Sequence, residues 1–229
     1  MKLNYDTYYG IFKSRPNRFI AHVEVDGRPV VSHVPNTGRL RELLVPGAPV
    51  MLSHHAAGNR KTRYELRMVM KKGFWVSIDS QLPNALAYEA IVNDVIPELG
   101  GYDRIHKEVV YHDSRFDLQL TNKDRICYVE VKGVTLERDG WSYFPDAPTD
   151  RGRKHIDGLI RAVREGYKAA LLFVVQFGQA AGFSPNRIMD PAFADKVKEA
   201  ALSGVEVLSY RCAVTPDEVR ITDKIPLMV

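Results

Sequence analysis

From Asn84 onward the apolar residues of this chain change period repeatedly, and a chain that does so has to lay helices on a sheet. Ala85–Pro97 reads as a helix capped by Asn84 and ended by Pro97 and Gly100-Gly101. Three strands follow, His106–His112, Ser114–Leu120 and Ile126–Gly133, the last two separated by the polar turn Thr121–Arg125. Thr149 or Asp150 then caps a helix reaching about Gly166, with Ile156, Leu159, Ile160 and Val163 at helical spacing. Ala169–Phe177 is an apolar run of the kind buried on both faces of a sheet. Asp190-Pro191 opens a further helix ending at Gly204, and Val205–Tyr210 is a closing strand. The order predicts an α/β layered domain over residues 82–229.

Residues 1–81 have a different grain. Phe19, Ala21, Val23 and Val25 alternate with polar residues, and Asp26-Gly27 signals a hairpin before Val30-Val31. Leu40, Leu43 and Leu44 suggest a helical turn. Strands around Val50–Ser53, Tyr64–Met70 and Phe74–Asp79 complete about five short strands, which predict a small closed β-barrel. The chain is thus expected to be α+β with two domains, 1–81 and 82–229. The charge divides the same way: residues 1–81 hold 13 Lys and Arg against 6 Asp and Glu, a net +7, while the rest nets −3. A basic half joined to a mildly acidic one points to a polyanion meeting the first domain, although solubilising surface charge gives the same count. Arg60, Lys61, Arg63, Arg67, Lys71 and Lys72 interleave with Tyr64, Phe74 and Trp75, the mixture that holds single strands by charge and stacking.

The chemistry concentrates in the strand pair 114–133. With side chains alternating, Phe116, Leu118 and Leu120 share a core face and Asp117 projects from the other. In the following strand Cys127, Val129 and Val131 are the apolar set, leaving Tyr128, Glu130 and Lys132 opposite. The hairpin therefore presents Asp117, Glu130 and Lys132 together. Two carboxylates suit a hard cation such as Mg²⁺ or Mn²⁺, with waters and phosphate oxygens completing its shell. The ammonium of Lys132 would orient a water or meet charge developing on a phosphate. A surface salt bridge is the ordinary use of Glu-x-Lys in a strand; the Asp on the preceding strand, with twelve residues between it and Glu130, and the flanking helices favour the site.

These residues resemble the PD-(D/E)XK nuclease superfamily, and the whole chain resembles the sugar fermentation stimulation protein A family. The carrying segments are His33–Gly38, Asn59-Arg60-Lys61, Leu82-Pro83-Asn84, Ser114–Asp117, Tyr128–Lys132, Phe144–Ala147 and Arg151–His155. Phe116 stands where the superfamily's eponymous proline would be. The resemblance implies an OB-fold-like barrel, a restriction-endonuclease-like domain with a mixed central sheet, and DNA binding without strong sequence specificity. It also implies catalytic roles for Asp117, Glu130 and Lys132, and suggests Glu89, in the helix before the strands, as an additional metal-directed acid beside the alternative of a solvated helix face. Arg151 and His155, four apart on one helix face, lie in a basic run with Lys154. Cations at a helix N-terminus oppose its dipole, so a bound phosphate would explain them, as would a capping or surface role. With Arg115 they join the expected nucleic-acid contacts.

Cys127 and Cys212 are too few for a disulfide framework, and no apolar run approaches a membrane span, so a reducing cytoplasm is expected. The expected function is a metal-dependent nuclease, with a DNA-binding regulator carrying an inactive site as the alternative. The expected partner is nucleic acid; a homodimer is compatible with the sequence.

Overall fold

A computed structural model describes residues 1–55 and 62–229. The barrel is built from β1 (Asp6–Asn17), β2 (Ile20–Val25), β3 (Arg28–His33), β4 (Pro49–His54), β5 (Tyr64–Lys71) and β6 (Phe74–Ser77). They run in the order β3-β2-β1-β4-β5-β6, and parallel pairing of Ser32 with Tyr64 and His33 with Glu65 joins β3 to β5 and closes the ring. Closure removes the exposed edges that an open sheet of this size would present. The long first strand escapes the sequence pattern because only Phe12 in it is fully buried. Register shifts between Phe12 and Asn17 bend it around the barrel.

The second domain has α1 (Leu82–Val92), then β7 (Arg104–Tyr111), β8 (Ser114–Asn122), β9 (Arg125–Val134), β10 (Leu136–Arg138) and β11 (Trp141–Phe144). It continues with α2 (Asp150–Arg164), β12 (Lys168–Val175), β13 (Gly182–Pro185), α3 (Pro191–Leu202), β14 (Glu206–Val214) and β15 (Val219–Lys224). The main sheet, β15-β14-β12-β9-β8-β7, is mixed: β12 lies parallel to both β9 and β14, and the other pairings are antiparallel. Leu86, Ala87 and Ile91 of α1 pack on Val129, Val131, Leu172 and Val174; Ile156 and Leu159 of α2 and Phe193 of α3 pack on the other face with Leu171, Phe173 and Val175. β12 is therefore apolar on both sides, as its uninterrupted run requires.

One expectation fails at the strand that matters most. Leu118 and Leu120 face α1, but Phe116 packs with Tyr111 and Tyr128 on the α2 side. The ladder between β8 and β9 extends from Asn122 only to Leu118, so β8 rolls at Asp117 and strict alternation breaks there. Gly158 explains how close α2 comes: a Cβ at this position would lie 2.9 Å from the Ser114 Oγ and 3.1 Å from the Phe116 ring.

The two domains are stitched together. Ser77 N donates to Gln176 O at 3.0 Å, Arg39 N donates to the Asp146 carboxylate at 2.9 Å, and Phe74 stacks on Phe177. Lys71 pairs with the buried Glu137 at 2.7 Å. Leu3 N donates to Asp217 O, so the first residues lie on the second domain rather than in the barrel.

Candidate metal centre and nucleic-acid interface

Where β8 parts from β9, the Asp117 carboxylate takes over the missing ladder contact. Its Oδ2 accepts the Val131 N–H at 2.7 Å, and its Oδ1 accepts from Asn84 Nδ2 at 2.7 Å. Asn84, expected as the helix cap, instead sits inside the first turn of α1 and fixes the acid. Burial, with the neighbouring Glu130 charge behind it, raises the Asp117 pKa above the usual carboxylate range.

Glu130 is 2% exposed. Its Oε1 accepts from Lys132 Nζ at 2.6 Å and makes a short hydrogen bond with His155 Nδ1 on α2. Burial alone would raise the Glu130 pKa; the His155 hydrogen bond and the Lys132 charge outweigh it and hold the group below its ordinary value. The other oxygen, Oε2, is buried and has no hydrogen-bond partner among the described residues. An orphaned carboxylate oxygen of this kind asks for an explanation, and a cation beside Asp117 supplies one. Two carboxylates, each with lone pairs to spare, fit a hard ion that keeps several waters. Among the described residues no group of three or more His, Cys, Asp or Glu surrounds a common point.

Three expected site residues fall elsewhere. Glu89 lies against the Met1 amine at 2.7 Å, because it leaves α1 on a face turned from Asp117. Arg67 reaches inward, donating to Glu65 at 2.9 Å and to Ser53 Oγ at 3.0 Å and pairing with Asp79, which leaves it no phosphate to hold. His155 is 8% exposed and meets Glu130 instead of solvent, with Arg151 Nε donating to its Nε2 at 3.4 Å. These partners select the tautomer that carries the proton on Nδ1 and aims it at Glu130. The i to i+4 spacing of Arg151 and His155 was readable in the sequence; that it serves an acid on β9 was not.

Arg63 is exposed at the start of β5, Arg115 pairs with Glu108 at 2.9 Å on the surface, and Lys154 pairs with Asp113 at 3.2 Å. Arg60 and Lys61 lie outside the described residues. Tyr64 belongs to a cluster with Tyr8 and His54, ring centroids 5.1–5.6 Å apart. Trp75 leans on Tyr9, and Phe74 is turned to the other domain. No helix among the described residues is long and apolar enough to cross a membrane.

A closed OB barrel followed by a mixed-sheet domain with this acid pair defines a two-domain protein of the OB-plus-restriction-endonuclease-like class. Residues 14–78 match the family described as SfsA N-terminal OB domain, and residues 81–218 match the Sugar fermentation stimulation protein RE domain. The chain belongs to the sugar fermentation stimulation protein family. It is 46% identical over 220 residues to the sugar fermentation stimulation protein homolog of Caldanaerobacter subterraneus, covering 96% of each chain. The homolog of Methanobrevibacter smithii is 45% identical over 229 residues, again with 96% of each chain covered. A structure of Pyrococcus furiosus SfsA in complex with Ca²⁺ superposes with a TM-score of 0.90 at 29% identity, covering 100% of this chain and 98% of that one.

Proposed function

We propose that this protein is a divalent-metal-dependent phosphodiesterase acting on nucleic acid, with the barrel as its grip. The observation that carries the reading is the buried, unpartnered Oε2 of Glu130 beside an acid whose pKa its charge raises. That the related Pyrococcus furiosus structure is a Ca²⁺ complex supports a divalent ion here. Asp117 and Glu130 would hold Mg²⁺ or Mn²⁺. Such an ion, when bound, polarises a phosphodiester and acidifies a bound water.

The chain's own residues do the rest. Asn84 and the Val131 amide fix the Asp117 carboxylate, so it needs no reorganisation to act as a ligand. His155 is a positioning residue that orients Glu130. Lys132, its ammonium 2.6 Å from Glu130, meets negative charge developing on the phosphate. Arg151, Lys154 and Arg115 supply phosphate contacts beside the site, and Arg60, Lys61 and Arg63 supply them on the barrel, with Tyr8 and Tyr64 as stacking surfaces. Backbone contacts of this kind bind DNA without strong sequence preference.

The deciding experiment incubates purified protein with labelled DNA and RNA in Mg²⁺, in Mn²⁺ and in EDTA. Cleavage with either metal, lost in EDTA and in Asp117→Asn, is expected. A DNA-binding regulator with an inactive site is favoured by one observation: Glu130 Oε1 is already occupied by the Lys132 ammonium and by a hydrogen bond from His155. Tight DNA binding with no cleavage under any metal would establish that reading instead.

A further inference from the structure

A cleft of about 340 Å³ opens between the barrel and the second domain, with Asn36, Thr37 and Ser80 on one wall and Tyr143, Asp146 and Gln176 on the other. Its volume falls at the lower end of the roughly 300–1,000 Å³ usual for small-molecule sites.

The rim is held rigidly. The Arg15 guanidinium donates to four carbonyls, of Arg18, Asn36, Gly38 and Arg39, at 2.7–2.8 Å, and Arg39 N is tied to Asp146. Glycine at 133 lets Pro83 and Gln176 pack close at the floor: a Cβ there would lie 2.6 Å from Pro83 Cγ and 3.4 Å from the Gln176 amide nitrogen.

Gln176 gives the cleft its chemistry. It is 1% exposed, its backbone is fully used in joining β12 to Val134 and to Ser77, and its side-chain Oε1 is buried with no hydrogen-bond partner among the described residues. An amide left unpaired at this depth, at a free-energy cost, is a ready hydrogen-bonding edge for a ligand.

The charge of the lining narrows the ligand. Among the described residues no Lys, Arg or His lines the cleft, and its one ionic group there is the Asp146 carboxylate, so a phosphate is unwelcome and a neutral group with donors is suited. The cleft also adjoins the metal centre along three elements. Gly133 follows Lys132 on β9, Pro83 beside it precedes Asn84 on α1, and Thr149 caps the helix that carries Arg151 and His155.

We propose that this cleft receives a nucleobase, that of the nucleotide flanking the phosphate held at Asp117 and Glu130, with the Gln176 amide and the Asp146 carboxylate meeting its polar edge. The inference rests on the nucleic-acid reading above. It adds that the protein unstacks one nucleotide and that both domains build its pocket.

The test measures binding in EDTA, so that cleavage plays no part. Affinities are compared for a short labelled single strand and for the same backbone with abasic sites throughout. The wild type should prefer the intact strand about tenfold, equivalent to about 1.4 kcal/mol. Gln176→Leu should lose most of that preference while keeping the salt dependence and a melting temperature no lower than wild type, since an unpaired buried polar atom is removed. As a second measurement on the unaltered chain, a strand containing 4-thiothymine should photo-crosslink to peptides carrying Tyr143 or Asn36. A base preference that survives in Gln176→Leu, or crosslinks confined to the barrel's outer face, overturns the proposal. Equal binding of intact and abasic strands overturns it while leaving the nuclease reading standing. Failure to bind either strand removes both.

Discussion

Replacing Lys132 by methionine separates a metal centre from a merely structural ion pair. The Glu130 and Lys132 side chains are 3% and 14% exposed, and their ion pair is 2.6 Å long. Removing one member of a buried pair leaves the other charge uncompensated, at about 3–5 kcal/mol. For a chain of this size that is a fall in melting temperature of roughly 6–20 °C in EDTA. His155 remains as one partner of Glu130, which favours the lower part of that range. A divalent cation held by Asp117 and Glu130 supplies the missing positive charge, and the repulsion between Lys132 and the cation is gone. Saturating Mn²⁺ should therefore restore most of the lost stability, and its stabilising effect should be larger in Lys132→Met than in wild type. Differential scanning calorimetry with EDTA and with Mn²⁺ measures both quantities. The variant should cut no DNA even when fully stabilised. A loss of stability identical with and without metal would show that no ion shares Glu130 with Lys132. A loss below about 1 kcal/mol would show the pair to be as weak as an exposed one.

Asp117→Asn should abolish most of the metal-induced rise in melting temperature, and an unchanged rise would move the ion elsewhere. Charge reversal at Arg60, Lys61 and Arg63 should weaken DNA binding and lower the log–log salt slope by about 0.9 per lost phosphate contact, read by anisotropy across a salt series. Arg67→Ala should act differently, destabilising the barrel by about 3 kcal/mol, chiefly through Asp79, which loses its Arg67 pair, while Glu65 keeps His33 and His55, and leaving the salt slope of the folded protein intact. Acid should loosen the joint between domains. Burial of Glu137 opposes its ionisation, yet the Lys71 hydrogen bond and the Gly140 N–H hold its pKa down from 4.5 to about 2. A depressed pKa of this kind adds stability above pH 4.5 that is lost as pH falls towards 2. Lys71→Ala should reduce that part of the pH dependence in an acid unfolding series, the Gly140 N–H and Lys72 keeping the remainder.

The sequence made some of this legible and hid the rest for physical reasons. α2 and α3 begin and end close to where Thr149, Asp190-Pro191 and Gly204 signal, because capping is local chemistry. β12 was readable from its apolar run. β1 was not, since a strand whose side chains are mostly exposed shows no clear alternation. β11 and β13 are four residues each and pair in parallel across 41 positions of chain, which no local pattern records. At the site, the motif placed Asp117, Glu130 and Lys132 on adjacent strands correctly. The faces were harder: β8 rolls at Asp117, so Phe116 and Leu118 serve different sides of the sheet. The partners of the acids, Asn84 and His155, come from helices 33 and 25 positions distant, and only the fold joins them.

The stitching of the barrel to the sheet has a consequence for length. Ser77 hangs on the backbone of Gln176, Arg39 on Asp146 and Lys71 on Glu137, so the barrel is tied to the domain that carries the acid pair at several separate points. A flexible tether would let the acids sample many bonds around the point where a strand is held. If the protein cuts nucleic acid as proposed, a fixed spacing would make the molecule a caliper: a strand end seated on Tyr8 and Tyr64 would present the same bond to Asp117 and Glu130 each time. Products from an end-labelled strand should accordingly form a narrow ladder of constant step rather than a smear.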